Sequence, residues 1–374
     1  MNGKREAGKE EAEDEKWWVR LPKIELHAHL NGSIRDSTLL ELARCLAEKG
    51  SVDFPDVESA ILKEDRTLIE VFKLFEVIRM VTTNHETITR ITTEVIEDFA
   101  SENVVYLELR TTPKRNDSVG MSKRSYMEAV LEGIRAVRAV DVNLNFSVRD
   151  YANQTPLNNA SCKPMGQKIY VGLLLSIDRR ETTEAAMETV NLALEMRDVG
   201  VVGIDLSGNP TVGEWVTFLP ALKLAKEQGL PITLHCGEVP NHEEIQAMLN
   251  FLPQRVGHAC CFNEEEWIQL KSSKLPVEIC LTSNIRTETI SSLDIHHFVD
   301  LYNSSHPLIL CTDDFGVFST SLSNEYIIAS SAFGLGKKEM FQLARNGVEL
   351  IFAGEEVKRD LADVFESAAK EFGL

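Results

Sequence analysis

The chain has 374 residues, of which 43% are hydrophobic and 26% charged, which describes an ordinary globular protein with material for a large core. Its formal net charge of −19 argues against a nucleic-acid groove and against acidic membranes, because both partners require basic surface. Seven cysteines without C-x-x-C spacing are typical of free thiols in a reducing compartment. No apolar run of about 18 residues and no signal-peptide core occurs. We therefore expect a cytosolic protein, and a monomer is our default for its assembly.

The charge pattern predicts where the folded part begins. Residues 1–16 are almost entirely charged or small, which is typical of a disordered tail. Trp17 and Trp18 are the first aromatic side chains, and we expect them to cover one end of the folded domain. No later stretch has the composition of a linker, so residues 17–374 are expected to form a single domain.

Hydrophobic periodicity divides the first half of the chain into strands and helices. A first strand lies within residues 21–33. The polar tract 150–167 contains Asn, Pro and Gly, so we expect a surface insertion there and the next barrel strand at 169–177. The other predicted elements are helices at 35–48, 65–81, 85–102 and 123–139, a strand at 104–112 and an extended segment at 142–148.

The second half of the chain alternates more regularly between strands and helices. Strands are predicted at 201–207, 231–236, 255–259, 276–282 and 307–312. Helices are predicted at 183–198, 214–228, 241–250, 320–333, 338–352 and 355–372. Strands that are apolar on both faces and alternate with helices form parallel sheets. Eight such units predict an α/β protein with a closed (β/α)8 barrel, and a doubly wound open sheet is the alternative.

Two histidines stand two residues apart in the first strand. Side chains alternate across a strand, so His27 and His29 share one face with Glu25 and Asn31. A buried imidazole without a partner is costly. The pair is therefore either hydrogen-bonded core or half of a metal site.

Polar side chains recur at the carboxyl ends of later strands, where the active sites of barrels lie. They are His235, Glu238, His258, Asp313 and Asp314. Each has an ordinary alternative when taken alone: a core histidine, a helix N-terminal charge, or a helix cap. Together, three histidines and a carboxylate suit zinc and leave one position open for water.

The remaining histidines lie away from predicted strand ends. His296 and His297 are expected in a surface helix. His85, His242 and His306 lie near helix starts or turns. We assign none of them to the site.

From about residue 20 onward, the chain resembles the adenosine/AMP deaminase family of metal-dependent amidohydrolases. The resemblance rests on the motifs His-Ala-His, His-Cys-Gly-Glu, Gly-His-Ala, Ser-Gly-Asn and Thr-Asp-Asp. Within the family, the segment Leu-Pro-Lys-Ile-Glu-Leu-His-Ala-His-Leu-Asn-Gly-Ser is most similar to the adenosine deaminase-like proteins that act on N6-methyl-AMP. The resemblance implies a zinc enzyme that converts this purine nucleotide and water to IMP and methylamine.

The resemblance also implies a role for each motif residue. One zinc ion would be held by four side chains: His27, His29, His235 and Asp313. Zinc lowers the pKa of a bound water toward about 7. Glu238 would protonate the purine ring nitrogen, while His258 and Asp314 would orient the water and take its proton.

Substrate recognition is expected near the first two strands. Asn31 stands where ordinary adenosine deaminases carry Asp, and a carboxylate at ~4 Å would repel a phosphate by roughly 4 kcal/mol per unit charge. Thr111, Thr112 and Lys114 could bind that phosphate, although Thr-Thr-Pro-Lys is also an ordinary strand-ending turn. Arg79 replaces a histidine of related members and is left unassigned. The resemblance adds these substrate-site residues: His29, Pro113, Asp178, Gly208, Glu238 and Asp314.

Other functions stay open at this point. Deamination of adenosine or AMP is the nearest alternative. A non-catalytic nucleotide-binding protein would be expected to have lost a ligand or Glu238, and both are present. A structural zinc site would usually be closed by four Cys or His ligands.

Overall fold

Nine parallel strands form one sheet at the centre of the structure, a computed structural model that describes residues 16–48, 50, 53–63, 68–144 and 168–374. The strands are β1 (Lys23–His29), β2 (Val104–Thr111), β3 (Asp141–Leu144), β4 (Lys168–Asp178), β5 (Val201–Ser207), β6 (Ile232–Cys236), β7 (Arg255–His258), β8 (Val277–Ile279) and β9 (Leu308–Leu310). Eight of them follow one another around the sheet, in the order β1-β2-β4-β5-β6-β7-β8-β9.

Backbone hydrogen bonds between the two ends of this order close the sheet into a barrel. The amide of Asp313 donates to the carbonyl of His27 at 2.7 Å, and the amide of His29 donates to the carbonyl of Asp313 at 3.0 Å. Ala28 and Asp313 thereby pair in parallel. The predicted (β/α)8 barrel is confirmed, and the open sheet is excluded.

The short strand β3 is not one of the eight barrel strands. It pairs with the first residues of β4, from Asp141 against Lys168 to Leu144 against Val171, and β5 takes the same edge from Leu173 onward. The prediction that residues 169–177 form the barrel strand is confirmed. The insertion predicted at 150–167 lies outside the described residues, as does the N-terminal tail up to residue 15.

Helices follow most strands and cover the barrel. They are α1 (Asp36–Glu48), α2 (Phe54–Ile61), α3 (Leu68–Val81), α4 (His85–Ser101), α5 (Lys123–Ala136), α6 (Thr183–Glu195), α7 (Trp215–Glu227), α8 (His242–Phe251), α9 (Glu264–Ser273), α10 (Leu281–Arg286), α11 (Phe298–Asn303), α12 (Phe315–Phe318), α13 (Leu322–Phe333), α14 (Lys337–Asn346) and α15 (Glu355–Phe372). Within the described part of the chain, none is long and apolar enough to cross a membrane.

Among the described residues, four helices lie between β1 and β2, where three were expected. The additional helix is α2, which spans only eight residues and has a proline in its first turn. Two turns are too short for the 3.6-residue periodicity to stand out in the sequence. The proline is tolerated there because the first amides of a helix have no partner within it.

The two tryptophans near the start of the described residues pack against the folded domain. Trp18 is buried, and the ring of Trp17 lies 5.4 Å from that of Phe372 in α15. Behind them, the buried Lys23 ammonium donates to the carbonyls of Trp18 and Leu21, both at 2.7 Å. Lys23 therefore ties the N-terminal segment to the first barrel strand.

We expect Lys23→Met to lower the free energy of unfolding by roughly 1–3 kcal/mol, because two buried carbonyls lose their donor. Burial lowers the pKa of Lys23 to about 7, but a neutral amine still has protons for both carbonyls. Urea unfolding would measure the change. The matched control is Lys223→Met, which removes an exposed ammonium from α7. Equal stability of both variants would contradict the assigned role.

Candidate active site

Four side chains meet at the carboxyl end of the barrel. His27 and His29 come from β1, His235 from β6, and Asp313 from the loop after β9. Their ligand atoms all lie within 4.8 Å of one another. His235 Nε2 is 3.0 Å from His27 Nε2 and 3.1 Å from His29 Nε2, and Asp313 Oδ1 is 3.5 and 3.4 Å from the same two atoms. The structure thus brings the four predicted metal ligands to one point.

Two buried carboxylates orient the imidazoles from behind. His27 Nδ1 is 2.8 Å from Glu278 Oε2, and His235 Nδ1 is 3.0 Å from Asp205 Oδ1. A carboxylate only accepts, so each Nδ1 carries the proton, and in a neutral ring each Nε2 turns a lone pair toward the cluster. Two lone pairs 3.0 Å apart repel unless a positive charge lies between them. This donor set fits a metal ion.

The electrostatics of the cluster also favour a positive charge. Burial and Arg110 act to lower the pKa of His27, but hydrogen bonds to Asp313 and Glu278 raise it to about 9. Burial and the neighbouring His235 lower the pKa of His29 to about 3, which leaves that ring neutral with its lone pair available. The charges around the cluster therefore favour a cation there.

A layer of buried charges beneath the cluster was missed by the sequence reasoning. Arg110 bonds to Asp205 at 3.1 Å and contacts Glu278, while Arg255 bonds to Glu278 at 2.7 Å and contacts Glu108. All five side chains are at most 1% exposed. Each of these residues could have been noticed in the sequence, because each is a charged residue within an otherwise apolar strand.

Two glycines in the motifs provide space for functional side chains. A Cβ added at Gly32, just after β1, would lie 1.6 Å from Asp314 Oδ1. A Cβ at Gly257 would lie 2.6 Å from His27 Cε1. Both contacts are too short for any larger residue, so these motif glycines are required by packing at the site.

Three predicted proton-transfer residues lie beside the cluster. His258 Nε2 is 4.0 Å from Glu238 Oε1 and 3.9 Å from Asp313 Oδ2. Burial raises the pKa of Glu238, and the negative charge of Asp313 adds to the shift. The same two causes raise the pKa of Asp314 well above its usual range. A raised pKa suits a general acid near neutral pH, which is the role predicted for Glu238. Asp314 can act as a base only when it is ionised, and a cation that offsets the charge of Asp313 would favour that form.

The predicted placement of His296 and His297 in a surface helix is wrong. Both are buried just before α11, where their rings stack at 4.3 Å, and the His297 ring lies 5.3 Å from that of Trp267. His296 Nε2 is 3.2 Å from Asn284 Oδ1 in α10. Histidine is compatible with core and surface alike, so the local pattern could not separate them. Asn284, which also contacts His258, was likewise missed.

The residues after β1 and β2 lie close together. Thr111 is buried and its hydroxyl lies 2.8 Å from that of Tyr126. Burial raises the pKa of Tyr126 to about 12, against the effect of hydrogen bonds from Thr111 and Asn31. Asn31 Oδ1 is buried and has no hydrogen-bond partner within the described part of the chain. Thr112 is half-buried and Pro113 buried.

Two cations lie beside this group. Lys114 Nζ donates to Thr82 Oγ1 at 2.7 Å. Arg79, in α3, forms an exposed ion pair with Glu76. Burial lowers the pKa of Lys114 to about 8, and the charge of Arg79 adds to the shift.

Asp178 and Gly208, both predicted to line the substrate site, are neighbours at the ends of β4 and β5. A Cβ added at Gly208 would lie 3.1 Å from Asp178 Oδ1, and the backbone there has a left-handed φ of 104°. Asp178 accepts hydrogen bonds from the amide and Nε of Arg180 at 2.8 and 2.9 Å.

The chain is similar to known proteins over nearly its whole length. Residues 22–368 match the family model described as adenosine deaminase. An N6-mAMP deaminase of Arabidopsis thaliana is 67% identical over 355 residues, covering 95% of this chain and 99% of that protein. An N6-methyl-AMP deaminase of Homo sapiens is 38% identical, covering 92% of each chain. The crystal structure of Arabidopsis ADAL complexed with IMP has a TM-score of 0.88 and 66% identity, covering 95% of this chain and 99% of that one.

The match extends over nearly all of the described barrel and includes each strand that contributes to the cluster. The chain therefore belongs to the adenosine deaminase family and is a hydrolytic deaminase.

Proposed function

We propose that this protein is a zinc-dependent enzyme that hydrolyses N6-methyl-AMP to IMP and methylamine. The observation that carries the proposal is the 67% identity, over 95% of the chain, to an Arabidopsis protein named for this activity. The 66% identical ADAL structure contains IMP, which is the nucleotide product of the proposed reaction. Deamination of AMP or adenosine by the same site is the alternative.

The ligands proposed for zinc are His27, His29, His235 and Asp313. Three neutral imidazoles and one carboxylate form a common zinc donor set. When bound there, zinc supplies a Lewis acid that makes hydroxide available near neutral pH. The cluster is buried at the barrel mouth, with His27 fully buried and Asp313 7% exposed.

The neighbouring acids would handle the protons of the reaction. Glu238 would be protonated before substrate binds, which the upward shift of its pKa favours, and would give its proton to the purine ring nitrogen next to the attacked carbon. Asp314, in its ionised form, would accept one proton of the attacking water and pass it to the amine nitrogen as the bond between the purine carbon and that nitrogen breaks. The proton of the new hydroxyl would return to Glu238 as the carbonyl of IMP forms. Asp314 Oδ1 is buried and lacks a partner among the described residues, so it is available for this hydrogen bond.

The phosphate would lie near Asn31 and Lys114. Asn31 is neutral where a carboxylate would repel the phosphate, and Lys114 provides a half-buried cation. Arg79 lies near Lys114, but its charge is offset by the ion pair with Glu76. This arrangement favours a nucleotide over a nucleoside.

On metal-replete enzyme, we expect kcat/KM to be highest for N6-methyl-AMP, followed by AMP and then adenosine. Asn31→Asp should lower kcat/KM for N6-methyl-AMP by roughly 10–100-fold, because the new carboxylate repels the phosphate across a partly screened distance. Release of methylamine or ammonia would be measured. N6-methyladenosine, which lacks the phosphate, is the internal control and should be affected little. The proposal fails if adenosine is the best substrate.

We expect Asp205→Asn to weaken zinc affinity by roughly 10–100-fold, because His235 loses the carboxylate that orients its ring. Competition with a chromogenic chelator would measure the affinity without turnover. Ser176→Ala is the matched control, since Ser176 donates to Asp205 Oδ2 at 2.8 Å and leaves the contact with His235 intact. Thermal melting would verify that both variants are folded. Unchanged affinity in Asp205→Asn would contradict the proposed ligand set.

The lowered pKa of Lys114 predicts a pH effect specific to the nucleotide. Its ammonium is charged below about pH 8 and neutral above it. As the pH rises through 8, kcat/KM for N6-methyl-AMP should therefore fall, because the free enzyme loses a cation that binds phosphate. The profile for N6-methyladenosine should lack this decline, and Lys114→Met should remove it for the nucleotide. Parallel profiles for both substrates in the unmodified enzyme would refute the assignment.

A further inference from the structure

A row of buried polar groups connects the backbone of α11 to His258. The amide nitrogen of Phe298 is 3.1 Å from His296 Nδ1, and His296 Nε2 is 3.2 Å from Asn284 Oδ1. Asn284 Nδ2 is in turn 3.0 Å from His258 Nδ1. His296, Asn284 and His258 are each at most 2% exposed. Because water has little access to them, these groups determine one another's hydrogen-bond directions.

The first member sets the direction of the whole row. A backbone N–H can only donate, so His296 Nδ1 must accept, and a neutral His296 ring then carries its proton on Nε2. That proton is donated to Asn284, whose amide must therefore turn its oxygen toward His296 and its NH2 group toward His258. The NH2 group donates in its turn. His258 Nδ1 is thus an acceptor and carries no proton.

We propose that Asn284 and His296 are positioning residues that hold His258 in the tautomer protonated on Nε2, so that His258 donates a hydrogen bond to the attacking oxygen instead of accepting its proton. The sequence-based expectation shared the water's proton between His258 and Asp314. A protonated Nε2 has no free lone pair. In a doubly protonated His258 ring, the Nδ1–H would point at the N–H of Asn284, and two donors facing each other repel.

The position of His258 agrees with a donor aimed into the site. Its Nε2 atom is buried and without a hydrogen-bond partner among the described residues, while it faces Asp313 and Glu238 at 3.9 and 4.0 Å. The backbone of His258 has a left-handed φ of 66°, an uncommon conformation for a non-glycine residue that recurs at functional sites. The proton of the attacking water then passes to Asp314 alone.

The inference rests on the proposed function, but the tautomer can be tested without turnover. We expect 15N spectra of histidine-labelled zinc enzyme to show an unprotonated Nδ1 and a protonated Nε2 for both His258 and His296. Spectra of His258→Gln and His296→Gln would assign the signals. A protonated Nδ1 on His258 in the unmodified enzyme would overturn the inference. A correct tautomer in a protein without activity on N6-methyl-AMP would overturn only the proposed function.

Asn284→Asp provides a second test, because it replaces the NH2 group by an oxygen of nearly the same size. An oxygen there accepts from both histidines and so draws the His258 proton to Nδ1. We expect kcat to fall by roughly 10–1000-fold with KM changed less than about threefold, as for other enzymes in which a histidine tautomer is reversed. The 15N signal of His258 Nδ1 should become that of a protonated nitrogen.

Asn346→Asp is the matched control for Asn284→Asp. It makes the same change of charge at an exposed position in α14 and should leave kcat unchanged. Zinc content of both variants would be measured to show that the metal site is intact. If His258 acts as the base, Asn284→Asp should instead keep or raise kcat, because a carboxylate increases the basicity of the imidazole. That result would overturn the inference.

Discussion

The structure depends on the approach of two imidazole nitrogens that turn lone pairs toward each other. His27 Nε2 and His235 Nε2 are 3.0 Å apart because carboxylates behind them take up the N–H of each ring. The repulsion between these lone pairs is relieved only by a shared positive charge. The donor set at the mouth of the barrel therefore fits a cation.

Holding carboxylates inside a barrel has a large desolvation cost, which the buried arginines offset. Glu278 receives hydrogen bonds from His27, Arg255 and Thr233, and Arg110 contacts both Glu278 and Asp205. Burial alone would raise the pKa of Glu278, but Arg110 and Arg255 hold it well below its usual range. Such a network is costly to break at one member, because the remaining charge is left buried without a partner. Rigid support of this kind keeps the ligands in one geometry.

Hydrogen bonds from α10 also hold two residues of the site in place. Asp313 accepts a hydrogen bond from the Ser283 hydroxyl at 2.6 Å, and the next residue, Asn284, contacts His258. One turn of α10 thus orients both a proposed metal ligand and a proposed proton-transfer residue. The proposed phosphate-binding residues, Asn31 and Lys114, follow β1 and β2. The strand β1 therefore carries two proposed metal ligands and leads directly to a proposed substrate residue.

The sequence by itself determined the barrel and the strand-end residues, because strand alternation and the carboxyl-end rule are local properties that repeat along the chain. Those rules were sufficient to place His27, His235 and Asp313 at one end of the fold. Only the tertiary structure decided their partners: His27 and Glu278 are 251 residues apart and meet because β8 and β1 lie on the same closed barrel. His296 was misplaced for the same reason. Which polar group an imidazole meets depends on packing between distant elements, and no local pattern encodes that.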